Sequence, residues 1–204
     1  FSLISEPPYY RQLKRVPFFT QNTLLSLPTF IQLCPHNHMK WFTREQIAWM
    51  VTLKGWDSQL KKTAKSTGSV IVLDEGPIFH MTYLLVYGPS ALRSSTAKTW
   101  WKKMFLQWAN TLQIIVWLDS PNPVLIDRIC TRQKAHHVKT DTEKEANRYL
   151  DALRISYQLI VSELQAINPD LKVLKFNTQF ENIDLIQSQI IEELNLTTSE
   201  KQCP

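Results

Sequence analysis

The sequence predicts an α/β fold, with a parallel sheet layered between helices. Three observations predict it. Ser69-Val70-Ile71-Val72-Leu73-Asp74-Glu75-Gly76-Pro77 is a short β-branched apolar run that stops at two carboxylates and Gly-Pro. Such a run suits a strand buried on both faces. Two further runs share this form: Ile114-Ile115-Val116-Trp117-Leu118, closed by Asp119, and Leu171 to Phe176. Between the runs lie segments with apolar residues three and four apart. Alternation of this kind implies right-handed crossovers, a parallel sheet and helices on both of its faces.

Taken in order, Phe1 to Ser5 is an expected first strand, ended by Glu6-Pro7-Pro8. Asn22 to Leu33 is helical in pattern, with Pro28 expected to bend or break it, and Cys34 to Met39 is an expected loop. Thr43-Arg44-Glu45-Gln46 is a capping box that opens a helix to about Lys65. The central strand follows Gly68, and Pro77 opens a helix to about Tyr87. Gly88-Pro89-Ser90 is a turn. Ser95 caps a helix through Trp100, Trp101, Met104, Phe105 and Trp108, a stripe at helical spacing that belongs in a core. Ser120-Pro121 after the second strand opens a helix through Leu125, Arg128 and Arg132. Gln133 to Thr140 is polar, basic and loop-like. Thr142-Glu143-Lys144-Glu145 is a second capping box, and the long helix behind it stops at Asn168-Pro169. After the last strand Asn182 caps a helix with Ile183, Ile186, Ile190 and Leu194 on its apolar face. One domain is expected over residues 1–194, with a frayed tail over 195–204.

The 204 residues carry 44% hydrophobic and 20% charged side chains, enough for one sizeable core. No apolar run has the ~18 residues a membrane helix needs, and no basic-then-apolar leader opens the chain. Three cysteines, odd in number and widely spaced, suit a reducing cytoplasm better than a disulfide framework. His36-Asn37-His38 and His136-His137 lack companions at zinc spacing. The net charge of +5 comes from dispersed Lys and Arg. That favours contacts to a phosphorylated small ligand over a nucleic-acid track. The four glycines form neither G-x-x-x-x-G-K-[ST] nor G-x-G-x-x-G.

Parallel strands place their carboxyl ends on one edge, so Glu6, Asp74, Glu75 and Asp119 are expected to share a rim. Clustered carboxylates there can hold Mg²⁺ or accept a proton from an attacking hydroxyl. The same acids can instead serve as turn or cap residues, which is the preferred reading for Asp119. Arg128 and Arg132, four apart on one expected helix face, and Lys134 in the loop beyond, can bind phosphate oxygens. A basic loop between two helices can close over a nucleotide.

Together these stretches resemble the P-loop nucleoside and nucleotide kinases, in particular the thymidylate kinase and deoxynucleoside kinase group. Ile4-Ser5-Glu6-Pro7 resembles the Glu-Pro that ends the family's second strand, and Val70 to Glu75 its strand ending in Asp-Arg or Glu-Arg. Ile115 to Pro121 with Leu125, Arg128 and Arg132 resembles the Leu-Asp-x-x-Pro strand and the Arg-bearing lid helix. Tyr149 and Leu153-Arg154-Ile155-Ser156-Tyr157 resemble the helix after the lid. The resemblance implies a three-layer α/β/α sheet of P-loop NTPase type whose first strand, phosphate loop and first helix would precede Phe1. It implies ATP-dependent phosphoryl transfer with Mg²⁺ to a nucleoside or nucleoside monophosphate. Glu6 would position or deprotonate the acceptor, and Asp74 would organise the metal. Arg128, Arg132 and Lys134 would contact ATP phosphates, and Arg11 and Glu75 would face the acceptor. Glu75 stands where the family has an Arg, a reversal of charge. The partners implied are ATP and a small acceptor, with no membrane or nucleic acid, and a homodimer is compatible. The alternative is a non-catalytic P-loop-like binding or scaffold protein. A sulfotransferase is a weaker rival, because its phosphosulfate motifs are not present.

Overall fold

The computed structural model describes residues 8–33, 42–67, 70–74 and 76–200. The chain divides into two compact units, Phe1–Thr111 with Ser156–Ile167, and Leu112–Ile155 with Asn168–Pro204.

The first unit is helical. Its elements are α1 (Pro8–Leu33), α2 (Arg44–Thr67), α3 (Pro77–Tyr87) and α4 (Lys98–Ala109), with two 3₁₀ turns, Ser90–Arg93 and Ser95–Ala97, leading into α4. The Thr43 capping box forms as the sequence predicts. Thr43 N–H donates to Gln46 Oε1 at 3.0 Å, and Gln46 N–H donates to Thr43 Oγ1 at 3.2 Å. Two orphan amides are thereby satisfied at the start of α2. Trp100, Trp101, Met104 and Trp108 of the α4 stripe are buried and form core, while Phe105 is half-buried. Trp108 is fully enclosed and donates its indole N–H to the Leu53 carbonyl at 3.1 Å, while Trp101 donates to the Leu92 carbonyl at 2.8 Å. Met50, Leu53, Met81, Leu84 and Leu92 are buried in the same unit, as are Ile160 and Leu164. A Cβ on Gly55 would lie 2.5 Å from the Asn22 side chain, so α1 and α2 approach closely there.

His80 on α3 lies among the rings of Trp49, Trp56 and Phe79. Its Nδ1 is buried and has no hydrogen-bond partner among the described residues. Burial lowers its pKa to about 4, because no nearby group compensates the charged form.

The second unit holds a strand–helix–helix–strand–helix sequence: β1 (Ile114–Asp119), α5 (Asn122–Thr131), α6 (Glu143–Ile167, whose first half belongs here), β2 (Lys172–Asn177) and α7 (Ile183–Glu200). The strands pair in parallel, with Ile114 opposite Lys172 and Asp119 opposite Asn177. Parallel neighbours need a long crossover, and α5 and α6 supply it. Ile115 and Phe176 are buried on the strands, Ala146 and Leu150 on α6, and Ile186 on α7. The second capping box also forms. Glu145 Oε2 accepts from Thr142 N–H at 2.9 Å, and Thr142 Oγ1 accepts from Glu145 N–H at 3.3 Å.

This architecture overturns the expected three-layer α/β/α sheet of P-loop NTPase type. Among the described residues the sheet has two strands, β1 and β2, and helices make up most of the rest. The run expected to be the central strand is irregular from Val70 to Leu73 and enters a turn at Asp74, with Val72 79% exposed. β-Branched composition favours an extended backbone, but a strand exists only where a neighbour takes up its N–H and C=O groups. Among the described residues Val70 to Leu73 have no such neighbour. The expected strand Phe1 to Ser5 and the loop Cys34 to Met39 lie outside the described residues. Pro28, expected to bend or break a helix, and Pro17 both lie within α1. At the far end α7 runs to Glu200, beyond the Leu194 expected as its limit. No described helix is long and apolar enough to cross a membrane.

Candidate functional site

The chemistry-bearing residues of the second unit gather at the carboxyl edge of the strand pair. Parallel strands end there together, the position at which open α/β folds receive ligands. β1 ends at Asp119 and β2 at Asn177, directly opposite in register. The turn after β2 is tied back to β1: Thr178 N–H donates to the Asp119 carbonyl at 2.8 Å. A cleft of about 740 Å³ opens at this edge, lined among others by Asp119, Asn122, Asn147, Arg154, Lys175 and Asn177.

Two arginines organise the edge. Arg154 on α6 donates Nε to Asp119 Oδ2 at 3.0 Å and Nη2 to Asp119 Oδ1 at 3.2 Å. It also donates Nη2 to the Ser120 carbonyl at 2.9 Å and Nη1 to Asp151 Oδ1 at 3.2 Å. Burial pushes the Asp119 carboxyl up, but the hydrogen bonds from Arg154 and Ser120 N–H, with the charges of Arg154 and Lys175, outweigh it. The group is held below the usual carboxylate range. Arg128 on α5 donates Nη1 to Thr178 Oγ1 at 2.7 Å and Nη2 to the Thr178 carbonyl at 2.8 Å. On β2, Lys175 sits 4.3 Å from the centre of the Trp117 ring, a cation–π pair. Asn122, in the first turn of α5, donates Nδ2 to Asp151 at 2.8 Å. Its Oδ1 is buried, has no donor among the described residues, and could accept from a ligand N–H or O–H.

Beyond α5 the chain becomes basic. Arg132 leaves the helix with an extended backbone, φ −68° and ψ 145°. The side chains of Arg132 and Lys134 are exposed and have no protein partner among the described residues. The connection is then folded around a 3₁₀ turn, His137–Lys139. His136 caps that turn, its Nδ1 accepting from Val138 N–H at 3.2 Å. Val138 is buried, and Lys139 Nζ donates to the Arg132 carbonyl.

The sequence-predicted residues fall unevenly. Glu6 and Glu75 lie outside the described residues. Arg11 is within α1, but its side chain is not described. Asp74 is on an exposed turn of the first unit. Among the described residues no group of three or more His, Cys, Asp or Glu side chains could hold a metal ion. Arg128 spends its guanidinium on the Thr178 turn, whereas Arg132 and Lys134 stay open. Asp119, the last residue of β1, accepts the N–H of Ser120 at 2.8 Å and pairs with Arg154; it does not cap α5, whose N-cap is Pro121. Sequence reasoning missed Thr178 and the part played by Arg154. The only signal for Arg154 was its place in the Leu153 to Tyr157 stretch, three residues after Asp151. No family model, curated protein or solved structure matches the chain.

Proposed function

We propose that this chain binds the phosphates of a nucleotide at the basic α5–α6 connection and acts in ATP-dependent phosphoryl transfer to a small hydroxyl- or phosphate-bearing acceptor. One observation carries the reading: a parallel strand pair opens a cleft at its carboxyl edge, and the crossover from that edge presents Arg132 and Lys134 exposed and, among the described residues, without a hydrogen-bond or ion-pair partner. Guanidinium and ammonium groups free of internal partners keep their full capacity for charge-assisted bonds to phosphate oxygens. Arg128 contributes differently, by bracing α5 against the Thr178 turn so that the cations beyond it start from a fixed point.

A second reading, binding without turnover, is favoured by the state of Asp119. Its carboxylate is committed to Arg154 and Ser120, which leaves it poorly placed to accept a proton from an acceptor hydroxyl.

Calorimetric titration with a non-hydrolysable ATP analogue tests the proposal. Arg132→Ala with Lys134→Ala should weaken binding about tenfold or more, since each charge-assisted bond is worth roughly 1.5–3 kcal/mol. Solvated surface cations would change it by only a few tenths of a kcal/mol. Absence of binding by the wild-type chain, or equal binding by the variant, would refute the assignment. ADP formation from Mg-ATP with a panel of nucleosides and monophosphates then separates transfer from binding alone.

A further inference from the structure

We propose that the α5–α6 connection is a proton-gated turn whose latch is the His136 side chain. The latch is the hydrogen bond from Val138 N–H to His136 Nδ1 at 3.2 Å. For Nδ1 to accept, it must carry no proton, so the closed turn requires neutral imidazole protonated at Nε2. Protonation converts Nδ1 from acceptor to donor. Two N–H groups then face each other, and the Val138 amide loses its partner.

The surroundings make the turn responsive. His136 stacks on His137, with ring centres 4.6 Å apart and 21° between planes. Tyr149 of α6 presents its ring edge-on to both, at 5.8 Å from His136 and 4.2 Å from His137. The charged groups that act on His136 are Lys134 and Lys139, which oppose a proton, and Asp141, which favours it; His137 opposes it as well. Burial, the largest effect, also keeps the ring neutral, so the gate opens in mild acid rather than at neutral pH.

The rest of the turn depends on the same residue. The His136 carbonyl accepts from Lys139 N–H at 3.1 Å, and the His137 carbonyl accepts from Thr140 N–H at 2.9 Å and from Thr140 Oγ1 at 2.9 Å. Val138, 2% exposed, is the anchor these bonds hold in place. Releasing the latch loosens that anchor and, with it, the segment that carries Lys134 and Lys139.

The test is residue-resolved NMR on the whole chain between pH 7.5 and pH 5, above the range in which His80 charges. Imidazole ¹⁵N shifts should report His136 as the Nε2–H tautomer at pH 7.5. The protection factor of the Val138 amide should fall about tenfold as His136 protonates, the loss expected for one hydrogen bond. The Trp117 amide on β1 should keep its protection over the same range. His136→Asn should abolish the pH dependence, because an Asn side chain caps without titrating, whereas His137→Asn should retain it. A wild-type Nδ1–H tautomer at pH 7.5, or Val138 protection that does not change while the His136 shifts titrate, would overturn the proposal even if a variant failed to fold.

Discussion

Replacing Arg154 by Met tests what holds the carboxyl edge together. Methionine keeps an apolar stem of comparable length, so the change removes the guanidinium with little loss of packing. The Arg154 and Asp119 side chains are 28% and 19% exposed. Removing one partner of a fully buried pair costs about 3–5 kcal/mol, and an exposed pair is worth at most about 1 kcal/mol. This pair lies between, and Asp119 keeps its bond from Ser120 N–H. A loss of about 2 kcal/mol at neutral pH follows, roughly thirtyfold in the folded-to-unfolded ratio. The pH dependence gives the sharper test. The folded pKa of Asp119 is depressed, so its contribution is present above the unfolded carboxylate pKa and is lost as pH falls through the folded one. The gap between wild type and variant should therefore be full at pH 7 and shrink toward about pH 3. Urea titration followed at the Trp117 indole resonance, which reports on β1, measures it. In an Asp119→Asn background the same replacement should cost at least about 1 kcal/mol less, because no uncompensated carboxylate remains. An equal loss at both pH values, with no coupling in the cycle, would show that Arg154 acts by packing alone.

His80→Phe should make the first unit less sensitive to acid. A His whose folded pKa is about 4, against an ordinary 6.5, loses stability as pH falls between those values. After allowance for its partial exposure, the cost in the wild type is about 2 kcal/mol at pH 4. Melting temperature against pH, followed by far-ultraviolet circular dichroism, should fall less steeply in the variant; parallel curves would refute this. Trp108→Phe should cost about 1–2 kcal/mol, from lost ring volume and the lost donor to Leu53, because Gln107 Nε2 still serves that carbonyl at 2.9 Å. Trp108→Ala should cost about 3–5 kcal/mol. Chemical denaturation compares the two, and similar losses would mean the indole bond rather than packing dominates.

The parts of the fold legible in the sequence are those whose cause is local. Both capping boxes rest on residues three apart within one turn, and both form. The Trp100 to Trp108 stripe needs only helical period, and all of it but the half-buried Phe105 is buried. The two strands among the described residues, β1 and β2, each belong to a run that an adjacent crossover returns to its neighbour. Val70 to Leu73 are as apolar and β-branched as the start of β1, yet remain irregular. A strand's existence depends on a partner elsewhere in the chain, and composition does not encode the partner. Pro28 shows the limit of a strong local rule: α1 continues through it without a break, as it does through Pro17, across 26 residues. At the candidate site, Asp119 was legible as the acid that closes an apolar run, because that run is local. Its pairing with Arg154, 35 positions away, was not, since that distance closes only through the crossover.

The division of labour among the cations follows from where α5 stops. Arg128 and Arg132 are four apart, and on a continuous helix they would project from one face. The helix ends at Thr131, however, and Arg132 turns into an extended conformation, so the helical phase does not carry across. Arg128 remains under helical geometry and reaches back to both the hydroxyl and the carbonyl of Thr178, while Arg154 does the same for the Ser120 carbonyl and the Asp119 carboxylate. A two-stranded parallel pair is a marginal structure on its ladder alone. These two guanidinium groups add bonds at the edge where the ladder runs out, and each is thereby withdrawn from ligand binding. Arg132 and Lys134, one and three residues past the helix end, have no strand-end carbonyl to serve and stay available to a phosphate. On this account the end of α5 divides cations that hold the edge from cations that can serve a ligand. Thr178→Val tests the division: it should lower the stability of the second unit and leave affinity for the ATP analogue unchanged while that unit remains folded. A large loss of affinity in a folded variant would place Arg128 on the ligand side of the boundary.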